Sequence, residues 1–203
     1  MGRPPQFNEQ QVLKNAMNVF WRHGYTGTSL SGLRAATGLN PGSIYNHFGS
    51  KKELFLQALG FYINAVVGER ITTVLNRGEP LEGIESFFTT AFEPVPLQDL
   101  IGCLLTNTAL DREIEDGQIN AVVRDGIGRI EQAIAARLDQ AQAAGDISPD
   151  IDSRDAAIHL VSCFQGLSVI GRLTKDKQRL AVITEQAMRM LRRQKPLSPV
   201  NAR

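Results

Sequence analysis

Apolar residues recur along almost the whole chain at the three-to-four-residue spacing of an α-helix, and alternating strand-like runs bounded by turn residues are hard to find. The pattern predicts an all-α fold. Leu13, Ala16, Met17 and Phe20 form the first stripe. Asn8 can cap its start, and Gly24 can take the left-handed conformation that closes it, with the turn Tyr25-Thr26-Gly27 following. Thr28 or Ser29 opens a second, short helix that carries Leu30, Leu33 and Ala36 inward, and Gly38 stops it. Asn40 caps a third helix with Pro41 at its first position, where a missing N–H costs nothing, so this helix runs from about Pro41 to Phe48. Gly49 and Ser50 end it and cap a fourth, in which Leu54, Phe55, Ala58, Leu59 and Tyr62 share a face.

The later helices are longer and less sharply punctuated. Gly78-Glu79-Pro80 separates the fourth helix from a fifth holding Phe87, Phe88 and Phe92. Pro94 and Pro96 break the chain before a sixth segment, from about Leu97 to Asp111. Ile119, Val122, Val123, Ile127, Ile130, Ile134 and Leu138 mark a long seventh helix that ends at Gly145. Asp152 can cap an eighth, and Leu180, Ile183, Ala187 and Leu191 mark a ninth. Residues 6–66 are expected to form a small N-terminal domain, with a helix-turn-helix at about 29–48. Residues 67–194 should form a larger helical domain, and 195–203, with Pro196 and Pro199, a disordered tail.

Charge sharpens this division. The 203-residue chain has a net charge of +1, which taken alone argues weakly against a polyanion partner. Residues 1–60, however, hold six Lys and Arg against two acids, a local charge of +4, while the remainder holds sixteen against nineteen, −3. A basic end on an acidic body suits a protein that meets phosphate at one end only. The content of 42% hydrophobic and 21% charged residues is that of an ordinary folded domain. The start, Met-Gly-Arg-Pro-Pro-Gln, carries no apolar signal segment, and the most apolar stretch, Ala156 to Leu173, is interrupted by His159, Gln165 and Arg172. It reads as a helix buried against protein. Two cysteines, Cys103 and Cys163, are too few for a disulfide scaffold or a four-ligand zinc site, so the expected setting is the reducing cytoplasm, with no membrane partner.

Two short helices joined by a glycine-containing turn, the second with small polar residues at its start, match the geometry that places a recognition helix in the major groove of DNA. Ile44 and Phe48, four apart, can anchor the third helix in the core, leaving Gly42, Ser43, Tyr45, Asn46 and His47 facing outward. Their hydroxyl, amide and imidazole groups suit bases and phosphates. Lys51 and the free N–H groups at the start of the fourth helix add a phosphate clamp. The run from His23 to Leu30, then Ala36-Thr37-Gly38-Leu39, then Gly42 to Leu54 resembles the DNA-binding signature of the tetracycline-repressor (TetR) family, over roughly residues 6–66. The resemblance implies phosphate contacts from Tyr45, His47 and Lys51 and base contacts from Gly42, Ser43 and Asn46. Thr28 and Ser29, inside the matching run, complete the DNA-contact set. It also implies a homodimer in which the last two helices pair with their symmetry mates. The eighth helix agrees, being apolar nearly all round, with small residues Ser162, Gly166 and Gly171 for close approach. Two recognition helices about 34 to 36 Å apart would then read a palindromic operator of double-stranded DNA.

For the larger domain the expectation is a repressor released by a small-molecule inducer. Candidate pocket residues are Phe61, Tyr62, Phe88, Phe92, Cys103, Asn107 and Phe164, aromatics and polar groups on helices that should face its middle. Asn107 stands out because a buried amide needs partners that Thr106 and Thr108 could only partly supply. The segment Gly102 to Leu110 resembles the start of the sixth helix in a subset of the family, some of which sense electrophiles or oxidants through a cysteine there. A thiol switch at Cys103 is therefore an alternative trigger, and a helical adaptor that binds protein in place of DNA is a third reading. His159 is alone in an apolar helix, and no nucleophile elbow or phosphate-binding glycine loop occurs, so neither an enzyme, a metal site nor a cofactor is expected.

Overall fold

Side-chain caps set the starts of the first four helices. In a computed structural model, which describes residues 7–92, 101–111, 113–174 and 176–191, Asn8, Ser29, Asn40 and Ser50 each accept a hydrogen bond from the backbone N–H three residues on. The helices they open are α1 (Glu9–Gly27), α2 (Leu30–Thr37), α3 (Pro41–Phe48) and α4 (Lys51–Tyr62). Gly38 closes α2 in the left-handed conformation, as its position predicts. Gly24 behaves differently. At φ 72° and ψ 173° it kinks α1 without ending it, and one more helical turn follows to Gly27. Only glycine holds that backbone conformation without strain.

The helix that begins as α4 runs on toward the break predicted at Gly78-Glu79-Pro80. It continues in wide, π-type turns through Ile63–Gly68 and Ile71–Leu75 before the chain reverses at Gly78. Then come α5 (Pro80–Thr89), α6 (Leu104–Ala109), α7 (Gly117–Ala144), α8 (Ser153–Thr174) and α9 (Lys177–Arg189). No strand occurs among the described residues. The sixth helix is a short correction to the expected segment: it starts at Leu104, after extended backbone at Cys103, while residues 97–100 lie outside the described structure. The expected tail at 195–203 also lies outside it.

One continuous apolar core joins these helices. Val12, Ala16, Met17 and Phe20 of α1 pack with Leu33, Ile44, Phe48, Leu54 and Phe55 to make the N-terminal helical unit, and Ile84, Leu105, Ile130, Leu160 and Leu167 continue the core through the larger part. There α7 lies against α5 and α8, and α8 against α9. At one end of the larger part, α5 crosses the last π-type turn so closely that Gly83 lies against the carbonyl of Leu75. The Arg137 guanidinium closes that end of the run, donating to the Gly78 carbonyl at 2.6 Å and to Gln140 Oε1 at 2.7 Å. It is buried, at 8% exposure, with its two terminal nitrogens bonded to these oxygens while its Nε has no partner among the described residues.

Among the polar ties that fasten the N-terminal unit to the larger part, two reach α1 and the start of α4. The indole N–H of Trp21 on α1 donates to the carbonyl of Gly102 at 2.9 Å, and Lys52 on α4 pairs with Asp116, the N-cap of α7, at 2.6 Å.

Candidate nucleic-acid interface

Helix α3 presents its residues as its spacing requires. Ile44 and Phe48 are buried, while Gly42, Tyr45, Asn46 and His47 are exposed and Ser43 is half-exposed. Tyr45 is the clearest case: an aromatic side chain left 44% exposed beside a full core is available for a partner outside the chain. Asn40 holds the N-terminus of the helix at the Ser43 N–H, and the Gly49 N–H returns to the Tyr45 carbonyl at 2.9 Å, so the outward face is fixed at both ends.

The two residues at the start of α2 part company. Ser29 is exposed and caps the helix. Thr28 is 3% exposed and its hydroxyl donates to the Gly24 carbonyl at 2.6 Å. Its hydroxyl closes the kinked turn of α1 and lies off the outer surface, which corrects its grouping with the outward-facing set. His47 has partners that the sequence did not reveal. Its Nε2 lies 3.3 Å from the Glu9 carboxylate, and its ring meets Phe7 and Phe48 edge-on.

At the start of α4 two lysines lie side by side with different surroundings. The Lys51 ammonium sits over the Tyr25 ring, 4.7 Å from its centroid, and partial burial pulls its pKa below the ordinary lysine value. Lys52 is paired with Asp116. The hydrogen bond from Lys52 holds that carboxyl below the usual carboxylate range, helped by the N–H groups of Ile119 and Gln118.

The interior candidates fall into two clusters. Near α1, Tyr62 is buried edge-on to Trp21, and its hydroxyl donates to Cys103 Sγ at 3.6 Å. Burial pushes the Tyr62 phenol well above its ordinary pKa, and Cys103 is itself only 6% exposed. Between α5 and α8, Phe88 and Phe164 meet at 5.4 Å, joined by Phe87 at 5.1 Å from Phe164. Phe61 is half-buried, and the side chain of Phe92 lies outside the described structure. Asn107 is satisfied differently from the expectation: it donates to the Ile101 carbonyl at 2.8 Å and accepts from Arg172 at 2.9 Å. Its amide ties α6 to α8, so a need for partners no longer singles it out.

The residue that sequence reasoning passed over is Gln165. The Thr106 hydroxyl donates to its Oε1, while its Nε2 is buried with no partner among the described residues. The only visible signal was a polar residue interrupting an apolar helix. Helix α8 is long and apolar enough in composition to cross a membrane. Its face formed by Ala156, Leu160, Phe164 and Leu167 is nevertheless buried against protein.

Comparison with known proteins agrees with this layout. The profile described as bacterial regulatory proteins, tetR family, matches residues 12–58, and that of the tetracyclin repressor-like C-terminal domain matches residues 84–187. The transcriptional repressor ComR of Escherichia coli K12 is 28% identical over 191 residues, covering 93% of this chain and 91% of that one. The uncharacterized regulator YezE of Bacillus subtilis is 29% identical over 185 residues, covering 89% and 94%. A cysteine mutant of the TetR-family regulator CifR, solved with 26-bp double-stranded operator DNA, superposes with a TM-score of 0.80 at 29% identity, covering 92% of this chain and 98% of its own. The reading as an adaptor without DNA binding is thereby overturned. With both its reading unit and its larger helical domain matched, the chain belongs to the tetR family of bacterial regulatory proteins, non-enzymatic DNA-binding regulators of transcription.

Proposed function

We propose that the protein is a cytoplasmic repressor that binds a palindromic operator as a homodimer through α8 and α9 and is released by a small molecule bound in the larger domain. The observation that carries this reading is the pairing of an outward recognition face with an uncovered apolar face elsewhere. On α8, Ile158 is 45% and Leu173 74% exposed, and on α9 Val182 is 51% exposed. Gly166 on α8 faces open space, where a second copy of the helix could approach closely. A soluble chain gains by covering such a face, and a two-fold partner covers it with the same surface. ComR is named a repressor and CifR is seen on operator DNA, which supports the same reading here.

In this reading residues 6–66 form the DNA-reading unit and 67–194 the dimerisation and regulatory unit. Ser43 and Asn46, with the backbone at Gly42, read base edges, while Ser29, Tyr45, His47 and Lys51 hold phosphates. Thr28 supports them from inside. The ligand lies among Tyr62, Phe88, Cys103 and Phe164, and the unpaired Gln165 amide supplies a donor for an acceptor on it. The thiol-switch alternative is not favoured, because burial of Cys103 beneath Tyr62 suits packing better than attack on an electrophile.

The test is selection of bound duplexes from a random pool, followed by titration of variants. A palindromic sequence should emerge. Lys51→Ala should weaken binding to selected and random DNA alike and lower the salt slope by about one unit, whereas Asn46→Ala should cost roughly 1 to 3 kcal/mol on the selected sequence alone. Equal losses on both duplexes for Asn46→Ala would remove its base-reading role.

A further inference from the structure

The start of α4 carries two adjacent ammonium groups, Lys51 and Lys52, beside the recognition helix. Among the described residues Lys51 has no carboxylate within ion-pair distance, and Lys52 has one at 2.6 Å. That carboxylate comes from the acidic part of the chain and serves two purposes through separate oxygens. Asp116 Oδ1 caps α7, accepting from the N–H groups of Gln118 at 2.9 Å and Ile119 at 3.1 Å, while Oδ2 faces Lys52. The cap therefore does not need the lysine. Both side chains keep close to a third of their surface exposed, 32% for Lys52 and 29% for Asp116, so another anion can exchange into the pair. A helix N-terminus followed by cations is where a phosphate oxygen settles. The second carboxylate pair among the described residues falls on the reading unit as well: Glu9 faces His47 on α3.

We propose that the Asp116 carboxylate is a built-in counter-anion that DNA phosphate must displace from Lys52, which makes Asp116 a brake on binding to DNA of arbitrary sequence. The proposal rests on the reading above, in which the start of α4 meets the DNA backbone. Binding to arbitrary sequence draws almost entirely on phosphate electrostatics, so a lysine already neutralised contributes nothing to it. An operator adds base contacts that offset the displacement; random DNA has none. Since Asp116 also opens α7, anything that moves the start of α7 alters the displacement, and bound DNA acts back on α7 by the same free energy.

Asp116→Asn isolates the charge, because asparagine caps a helix as well as aspartate. Fluorescence anisotropy of the full-length protein on a labelled duplex of arbitrary sequence, across a salt series, is the measurement. Asp116→Asn should bind about fivefold to tenfold tighter near 0.1 M salt, with a log–log salt slope steeper by about one. The gain should vanish in Lys52→Gln/Asp116→Asn, which should match Lys52→Gln alone. Should Asp116→Asn fold poorly by thermal unfolding, Asp116→Ser retains a capping oxygen and carries the same expectation. Unchanged or weaker binding by the folded neutral variant overturns the proposal, as does a gain that persists without Lys52. If Lys51→Ala weakens binding while Asp116→Asn is silent, only the counter-anion fails. If no duplex is bound even by the wild type, the DNA-reading assignment fails and takes the counter-anion with it.

Discussion

Three glycines in the larger domain should respond to alanine in three different ways. At Gly83 a Cβ would land on the Leu75 carbonyl oxygen, closer than real Cβ atoms approach, with the Arg77 carbonyl and the Arg137 guanidinium both at 3.2 Å. The obstruction is backbone on one side and a buried hydrogen-bonded cation on the other, so α5 must move off the end of the π-type turns. At Gly126 on α7 the neighbours are the tips of Leu105 at 2.8 Å and Ile63 at 2.9 Å, which can swing aside at some loss of packing. At Gly128, two residues further on the same helix, nothing lies within 4 Å. Overpacking a core costs about 1 to 3 kcal/mol and more where backbone must shift, whereas alanine for glycine inside a helix gains about 0.5 to 1 kcal/mol. Gly83→Ala should therefore lose about 3 kcal/mol or more, Gly126→Ala about 1 kcal/mol, and Gly128→Ala should gain up to about 1 kcal/mol. Urea unfolding at fixed protein concentration gives the differences directly, and for a chain of this size each kcal/mol corresponds to about 2 to 4 °C in Tm. A neutral Gly83→Ala, or the same sign at Gly83 and Gly128, would refute the close crossing of α5 over Leu75.

Two further outcomes follow from the larger domain. Gly166→Leu should force paired α8 helices apart, so that sedimentation reports a monomer and operator affinity falls about a hundredfold or more as the second half-site is lost; a wild type that sediments as a monomer removes the dimer. The buried Tyr62 phenol, raised well above its ordinary pKa, stays protonated after the unfolded chain has ionised near about pH 10, so its contribution to stability is complete below that pH and declines as pH rises past it. Tyr62→Phe should flatten this alkaline decline in a stability-against-pH series, and an unaltered decline would place its origin elsewhere.

Much of the fold was legible because its signals are local. Asn8, Ser29, Asn40, Ser50 and Asp152 each act on an N–H three residues away, and a cap of that reach is visible in any stretch of sequence. The wide turns that continue α4 were not legible, since Ile63-Asn64-Ala65-Val66-Val67-Gly68 has apolar positions that serve a 3.6-residue and a wider turn equally well. Gly24 shows the same limit from the other side. A glycine before a turn announces a positive φ, yet whether the chain then leaves the helix or resumes it depends on the Thr28 hydroxyl reaching back to the Gly24 carbonyl.

The reading face of α3 was legible for a related reason: eight residues with two buried anchors leave little choice about which side chains point out. What ties the N-terminal unit to the larger domain is written in pairs that sequence distance hides. Trp21 meets Gly102 across 81 residues, Tyr62 meets Cys103 across 41, Thr106 meets Gln165 across 59 and Asn107 meets Arg172 across 65. Each pair has one member in the stretch from Gly102 to Asn107, so α6 and its approach touch α1, α4 and α8 at once. The stretch from Gly102 to Asn107 thus links α8 to α1 and α4 by hydrogen bonds. Asn107 illustrates the cost of reading such residues alone. Its expected burial pointed to an unmet need, and the need was met by a guanidinium 65 positions away, whereas Gln165, noted only as a break in an apolar stretch, keeps a donor without a partner among the described residues.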